Sequence, residues 1–277
     1  MWMNRIWSSS SATQLGVLLQ IAENSLHVTE LAETDLQWAK PDWTARQVLH
    51  WMQERGFDAA PIDDAEPYRV VVAHSLRPLD APIALQAQPL DATLLVSSDL
   101  CLADGIMRLK RQQFYFVLQG DQIQGIVTRA DLQRPAVSMI IFSLILASEA
   151  AMREIISRNL ASAWLEKLRP AGRAEVEKVY EVRLKTNTEV TKLDCLMIHG
   201  LLALLYECTA IVKQLGFTRN QFKKWKEQLR RLRDTLAHGG GLLHAEPDPL
   251  HAIQLFEDVR SFAEKTTRLV ATETAEG

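Results

Sequence analysis

Residues 114–132 read Phe-Tyr-Phe-Val-Leu-Gln-Gly-Asp-Gln-Ile-Gln-Gly-Ile-Val-Thr-Arg-Ala-Asp-Leu, and this stretch decides the fold of the first half of the chain. It predicts a strand, a tight turn at Gly120-Asp121 and a second strand that runs into a helix, because aromatic and β-branched residues flank a turn-forming pair. Leu100 to Leu109, just before it, has a helical pattern. Helix, strand, turn and strand form one unit.

The same unit occurs earlier in the chain. Thr44 is a predicted N-cap for a helix that ends at Gly56, and strands over 58–62 and 69–73 follow it on either side of an acidic turn. Repetition of a supersecondary unit is typical of folds built from stacked copies. We therefore expect an α/β pair over residues 41–134, preceded by an N-terminal extension, residues 1–40.

The segment Gly125-Ile-Val-Thr128-Arg-Ala-Asp131-Leu resembles the nucleotide-binding segment of CBS domains, and the two copies together resemble a tandem CBS pair. The resemblance implies a regulatory adenine nucleotide, ATP, ADP or AMP, with its phosphate held by Thr128 and its ribose by Asp131. The chemistry fits, since a hydroxyl donates to phosphate and a carboxylate accepts from ribose hydroxyls. Helix capping explains both residues equally well.

The first copy has Val72 and Ser75 at the positions of Thr128 and Asp131. It therefore lacks the carboxylate that would hold a ribose. We expect one good nucleotide site at most.

A proline at Arg134-Pro135 interrupts the α/β pattern, and residues 135–277 are expected to form an all-α helical bundle. Five helices are predicted, over 137–168, 173–185 and 194–215, from the Thr218 cap to the glycines at 239–241, and from Pro249 to about Thr272. The fourth carries an apolar stripe at helical spacing, made of Phe222, Trp225, Leu229, Leu232 and Leu236.

That fourth helix is strongly basic. Between residues 219 and 233 it has seven Lys and Arg residues against Glu227 alone, whereas the whole chain has a net charge of −3. The charge is −5 through residue 136 and +2 beyond it, so a nucleic-acid contact would fall in the second half. Arg230, Arg231 and Lys226 are the predicted contacts to an RNA backbone.

Arg233 and His238 follow at the end of this helix. A guanidinium stabilises negative charge on a phosphate, and an imidazole moves protons near neutral pH, so the two together suit phosphodiester cleavage without a metal. On one ideal helix, five residues place these side chains about 140° apart. A single helix would therefore point them away from each other.

The segment Arg233-Asp234-Thr-Leu-Ala-His238 resembles the R-x4-6-H motif of HEPN domains, many of which are metal-independent endoribonucleases. The resemblance implies a homodimer in which Arg233 and His238 of both copies line a shared cleft, with Asp234 orienting one of them. It implies RNA as substrate and no catalytic cofactor. One further possibility is a toxin-like protein held inactive by an antitoxin, in which the same chemistry serves growth arrest or phage defence.

A non-catalytic function remains open at this point. Charge runs are usually solvated helix faces, and a terminal histidine often interacts with the helix dipole. The alternative is therefore a nucleotide-sensing adaptor whose helical domain binds a protein partner.

Composition limits the other classes of protein. The 277 residues suffice for two ordinary domains, and the three cysteines fit a reducing cytoplasm better than a disulfide framework. Neither a signal peptide nor a membrane span is expected. His244 and His251, with Glu246 and Asp248 between them, match no compact zinc spacing, so no metal site is predicted.

Overall fold

The computed structural model describes residues 17–63, 68–186 and 189–275, apart from positions 18 and 22. Residues 1–16 of the expected N-terminal extension therefore lie outside the described part. In the first half, the helices and strands are α1 Ala45–Arg55, β1 Ala59–Pro61, β2 Arg69–Val72, β3 Gln88–Pro89, β4 Leu95–Ser97, α2 Leu102–Arg108, β5 Phe114–Gln119 and β6 Gln122–Thr128. A 3₁₀ helix, Arg129–Gln133, follows β6.

The predicted repeat is present. The first copy pairs β1 with β2 antiparallel, and the second pairs β5 with β6 antiparallel and adds β4 parallel to β5. An isolated parallel bridge between Ala39 and Ile62 takes the place of β4 in the first copy. The Thr44 capping box and the left-handed cap at Gly56, with φ of 69°, confirm the predicted ends of α1.

Each copy pairs at its edge with a segment that lies closer in sequence to the other copy. β3 precedes the second copy but pairs with β2 of the first, while Glu33 precedes the first copy and exchanges two backbone hydrogen bonds with Ile126 in β6. Val28 and Leu31 are fully buried in the core of the second copy. The described residues 23–40 thus belong to the repeat pair and are not a separate extension, since their apolar side chains and edge pairing are part of its fold.

The second half is helical. Its helices are α3 Pro135–Leu160, α4 Trp164–Lys167, α5 Pro170–Lys185, α6 Ile198–Glu207, α7 Thr209–Gln214, α8 Arg219–Ala237, α9 Leu242–Ala245 and α10 Pro249–Ala275. No strand is assigned within the described residues beyond 134. The helix expected over 137–168 breaks after Leu160, where Ala161 has a φ of 43°, and the one expected over 194–215 breaks at Cys208 and begins only at Ile198.

α3 and α10 pack along each other in the centre of this half. The predicted stripe on α8 is confirmed at Phe222, Trp225, Leu229 and Leu232, which are buried. One hydrophobic core runs from the second repeat into the helices, so that residues of α2 and β6 belong to the same cluster as residues of α3 and α10. Helices begin at Pro135, but the core does not divide there.

By length and composition, Pro135–Lys167 could cross a membrane, and 61% of its most apolar window is buried within the protein. That burial is typical of the core helix of a globular protein. Glu149 lies on this helix at 8% exposure, and its carboxylate is 3.4 Å from Arg153 Nη2. This buried carboxylate therefore has an arginine as its partner.

Candidate functional site

The first candidate site is a cleft of about 550 Å³ between the two copies, which we call the inter-repeat cleft. Phe57 and Asp58 line it from the first copy, and Phe114, Thr128 and Asp131 line it from the second. The structure therefore brings the two predicted nucleotide-binding residues together in a cavity. Its walls combine apolar rings with hydrogen-bonding groups, which is the usual composition of a small-molecule site.

Asp131 is already paired in the cleft. Its Oδ2 accepts from the Thr128 amide at 2.7 Å and from Thr128 Oγ1 at 2.8 Å, and its Oδ1 lies 2.8 Å from Arg134 Nε. Thr128 and Asp131 therefore form a capping box, as the capping explanation requires. A carboxylate has about four acceptor positions, so three bonds leave one for a ribose hydroxyl.

Arg134 joins two carboxylates across the cleft, because its Nη2 donates to Glu33 Oε2 at 2.9 Å. Burial lowers the pKa of Arg134, but the hydrogen bonds to Asp131 and Glu33 outweigh burial and raise it. The Asp35 amide and then Arg134 lower the pKa of Glu33. This triad carries a net charge of −1. Two further guanidiniums line the cleft, those of Arg55 and Arg129, and Arg129 Nε donates to the Leu109 carbonyl at 2.9 Å.

The equivalent position in the first copy has no such network. Ser75 Oγ donates to the Val72 carbonyl at 2.8 Å. Because Val72 has an apolar side chain, this hydroxyl is the only polar side-chain group at the positions that correspond to Thr128 and Asp131. The arrangement agrees with the prediction that the first copy lacks a ribose-binding carboxylate.

The second candidate site lies at the end of α8. The Thr218 capping box begins the helix as predicted, His238 caps its end, and Gly239 turns the chain with a φ of 79°. His238, His244, Arg230, Arg231 and the backbone of the turn line an open groove of about 860 Å³, which we call the histidine groove. Two imidazoles and two guanidiniums therefore face the same volume.

Arg233 lies on the other side of α8. It lines a smaller groove of about 410 Å³, the arginine groove, together with His199 and Lys226. Its Nη1 is 3.6 Å from Asp234 Oδ1, and its buried Nε has no hydrogen-bond partner among the described residues. One copy of the chain thus does not bring Arg233 and His238 together, as the helical spacing predicts.

A ridge made of Glu227, Arg230 and Asp234 separates the two grooves and lines both. Arg230 lies 3.4 Å from each of the two carboxylates. Asp234 was expected to orient Arg233 or His238, and its carboxylate contacts the arginines. Of the two residues that it was expected to orient, it contacts Arg233, at 3.6 Å, and its closer contact, at 3.4 Å, is with Arg230.

The predicted RNA-binding residues are divided between the grooves. Arg231 faces the histidine groove and donates to the Ala245 carbonyl at 3.5 Å. Lys226 faces the arginine groove, and its ammonium lies 5.3 Å from the centre of the Tyr206 ring. The guanidinium of Arg219 lies 4.6 Å from the centre of the same ring. Basic side chains therefore continue across both faces of α8.

Two features of these sites were missed from the sequence. His244 was considered only as a metal ligand, and among the described residues no group of three or more His, Cys, Asp or Glu side chains could hold a metal ion. Glu33 was not considered at all. The turn formed by the three glycines was the available signal for His244, because it reverses the chain directly after His238.

Comparisons with known proteins give a match only at the level of solved structures. No family model matches the sequence, and no curated protein matches it. The chain is similar to a CBS domain protein of unknown function from Thermoplasma acidophilum, with 18% identity over 43% of this chain and 75% of that chain and a TM-score of 0.34. It is also similar to a CBS domain pair/ACT domain protein from Thermotoga maritima, with 18% identity, coverage of 44% and 98%, and a TM-score of 0.33.

An uncharacterized conserved protein from Pyrococcus horikoshii is similar at 15% identity, over 40% of this chain and 91% of that chain, with a TM-score of 0.35. The structural neighbours are thus CBS domain proteins over part of the chain. With such identities and TM-scores, ligand and activity have to be argued from the residues of this chain.

Proposed function

We propose that this chain is a nucleotide-sensing protein whose helical half cleaves RNA without a metal ion. Sensing belongs to the inter-repeat cleft, and cleavage belongs to the end of α8. The two functions are supported by different observations and are tested separately.

One observation carries the sensing function: Thr128 and Asp131 face an inter-repeat cavity that is also lined by apolar rings and by the guanidiniums of Arg55 and Arg129. Phe57 and Phe114 offer surfaces for an adenine ring, since aromatic side chains stack on bases. Asp131 has an acceptor position left for ribose, and Arg55 and Arg129 carry the charge that a phosphate requires. An adenine nucleotide, ATP, ADP or AMP, fits this set of groups.

The cleavage function is supported by the histidine groove, where an exposed imidazole and two guanidiniums share one open volume at the end of a basic helix. In the proposed mechanism, His238 takes the proton of a ribose 2′-hydroxyl or gives one to the leaving oxygen. Arg233 stabilises the phosphorane-like transition state, Asp234 orients Arg233, and Arg230 and Arg231 hold the RNA backbone.

A second copy of the chain is required by this mechanism. Arg233 and His238 face different grooves within one copy, so a homodimer has to bring the Arg233 of one protomer towards the His238 of the other. A dimer that excluded these residues from its interface would count against the proposal. The alternative is the adaptor, in which the basic face of α8 binds a protein partner and both residues are structural.

Nucleotide binding is tested by isothermal titration calorimetry with ATP, ADP and AMP on the wild-type protein, Asp131→Ala and Ser75→Ala. Ser75 is the matched control because it holds the same position in the first copy. We expect binding by the wild type and Ser75→Ala, and a loss of at least tenfold in Asp131→Ala, about 1.4 kcal/mol. Equal affinity in all three proteins would refute the assigned site.

RNA cleavage is tested with a mixed RNA pool in EDTA, which removes contaminating metal nucleases. The wild type is compared with Arg233→Ala, His238→Ala and His251→Ala, each with and without ATP or AMP. We expect cleavage by the wild type and by the His251→Ala control alone. No cleavage by any protein would favour the adaptor, and growth arrest on expression that His238→Ala relieves would favour a toxin held by an antitoxin.

A further inference from the structure

We propose that His244 is a second catalytic imidazole, which shares the acid–base chemistry of RNA cleavage with His238. This inference rests on the proposed ribonuclease function and adds a residue to it. One of the two histidines removes a proton from the nucleophile, and the other gives a proton to the leaving group.

The backbone after α8 places His244 in the same groove as His238. The chain reverses at Gly239, and a Cβ atom added to Gly240 would lie 3.4 Å from His244 Cδ2, so the imidazole ring lies over this turn. The His244 amide donates to the Gly241 carbonyl at 3.1 Å, and the neighbouring Leu242 is fully buried. The ring is therefore exposed to the groove while its backbone is fixed.

The histidine groove contains two groups that can carry out the proton transfers of the reaction, while Arg233 of a second copy would stabilise the transition state. The ribose 2′-hydroxyl loses its proton to one imidazole and attacks the phosphorus atom, and the bond from phosphorus to the 5′-oxygen breaks. The departing oxygen takes a proton from the other imidazole, which leaves a 2′,3′-cyclic phosphate and a 5′-hydroxyl. No metal, oxidant or water is consumed. The charged groups that line the groove beside the imidazoles are Glu227, Arg230, Arg231 and Asp234.

Other histidines near this region do not line the histidine groove. His251, in the first turn of α10, is 77% exposed, and its Nδ1 lies 3.7 Å from Asp248. His199 lines the arginine groove, and its Nε2 is 3.5 Å from Glu175. His251 is therefore the matched control for removal of an exposed imidazole.

The test uses two substrates in EDTA and four proteins: wild type, His238→Ala, His244→Ala and His251→Ala. One substrate is an RNA dinucleotide, whose leaving ribose oxygen needs a proton. The other is a nitrophenyl ester of uridine 3′-phosphate, whose leaving group departs without one. On RNA we expect both groove variants to be about 10²–10⁴ times slower than the wild type. On the ester, we expect one of them to recover almost to the wild-type rate, which identifies the acid.

The outcomes separate this inference from the proposed function. Cleavage of RNA by His244→Ala at the wild-type rate would overturn the inference and leave the ribonuclease function standing. Recovery of both variants on the ester, or of neither, would also overturn it, because the proton transfers would not be divided between the two residues. Absence of cleavage by the wild type would overturn both.

Discussion

The inter-repeat cleft and the histidine groove differ in how far their polar groups are already paired. In the cleft, Asp131 accepts from Thr128 and Arg134, and Arg134 continues to Glu33 at 2.9 Å. In the groove, the imidazoles of His238 and His244 have no hydrogen bonds to other described residues. The carboxylate at the centre of the cleft is thus engaged in a hydrogen-bond network, while the imidazoles of the groove are not.

This difference has an energetic consequence. Removing one member of a partly buried network leaves its partners unsatisfied, so the folded protein loses free energy as well as function. Removing an exposed side chain without partners changes the free energy of unfolding very little. Variants in the cleft should therefore affect stability and binding together, and variants in the groove should affect cleavage alone.

The segment from Gly239 to Pro249 connects the two regions. A Cβ atom on Gly241 would lie 3.1 Å from the carbonyl oxygen of Gln133, in the 3₁₀ helix that carries Asp131, and Pro249 lines the cleft. The backbone next to the histidines thus packs against the helix that would hold a nucleotide. A ligand that prefers one position of that helix would shift the position of the turn.

The largest expected effect is on cleavage in His238→Ala. We expect the rate on RNA to fall by about 10²–10⁴, while the free energy of unfolding changes by less than about 0.5 kcal/mol, because the imidazole is exposed. Urea unfolding followed by circular dichroism, beside the cleavage assay, measures both. If His238→Ala lowered the free energy of unfolding enough to account for its loss of cleavage, the contrast between the two sites would disappear.

The next effect is on stability in Asp131→Ala. This variant removes the acceptor of the Thr128 amide and one of the two carboxylates that pair with Arg134, at a cost of about 1–3 kcal/mol. Ser75→Ala, the equivalent change in the first copy, should cost less, because it removes a single hydrogen bond at an exposed hydroxyl. Urea unfolding of both variants compares the copies. Equal losses would mean that the network adds nothing to the stability of the second copy.

A smaller effect is expected for Gly241→Ala, which tests the connection between the regions. The new Cβ would press on the Gln133 backbone and shift it, at a cost of about 1 kcal/mol. We expect the effect of a nucleotide on cleavage to weaken in this variant more than cleavage itself. Gly172→Ala is the control, since its Cβ would meet only Leu168 Cβ at 3.9 Å. An unchanged nucleotide effect in Gly241→Ala would exclude this route.

The features that the sequence predicted correctly are those that depend on a few neighbouring residues. Thr44 and Thr218 were predicted to cap their helices, and each forms a capping box with a glutamine three positions later, a spacing that was predicted for Thr218 and Gln221. The separation of Arg233 from His238 also follows from local geometry, because α8 is a regular helix to its end.

The features that were missed depend on contacts across the fold. Arg134 meets Glu33 from 101 positions away, and no pattern in the sequence pairs them. The breaks at Ala161 and Cys208 interrupt apolar runs whose periodicity continues, so packing against other helices has to decide where they end. The unbroken core between the second repeat and the helices was hidden by Pro135, which marks where the helices begin but not where the core divides.

The smallest effect is expected for Glu33→Gln, at the exposed end of the cleft network. The Asp35 amide and Arg134 lower the pKa of Glu33, so the folded state favours the carboxylate. The stability that the Glu33 carboxylate adds to the fold is fully present above the pKa of Glu33 in the unfolded chain. It is lost as the pH falls through the lower pKa of Glu33 in the folded protein. The Glu33 side chain is 52% exposed, so we expect a loss below about 1 kcal/mol at pH 7.

Urea unfolding at pH 7 and near pH 3 measures this difference, which should shrink at the lower pH. Asp35→Asn keeps the amide that donates to Glu33 and serves as the control. If Glu33→Gln lowered the free energy of unfolding as much as Asp131→Ala does, the solvent-exposed end of the network would contribute as much to stability as the buried end. The contrast between cleft and groove would then not come from burial, because an exposed carboxylate would stabilise the fold as much as one that is 13% exposed.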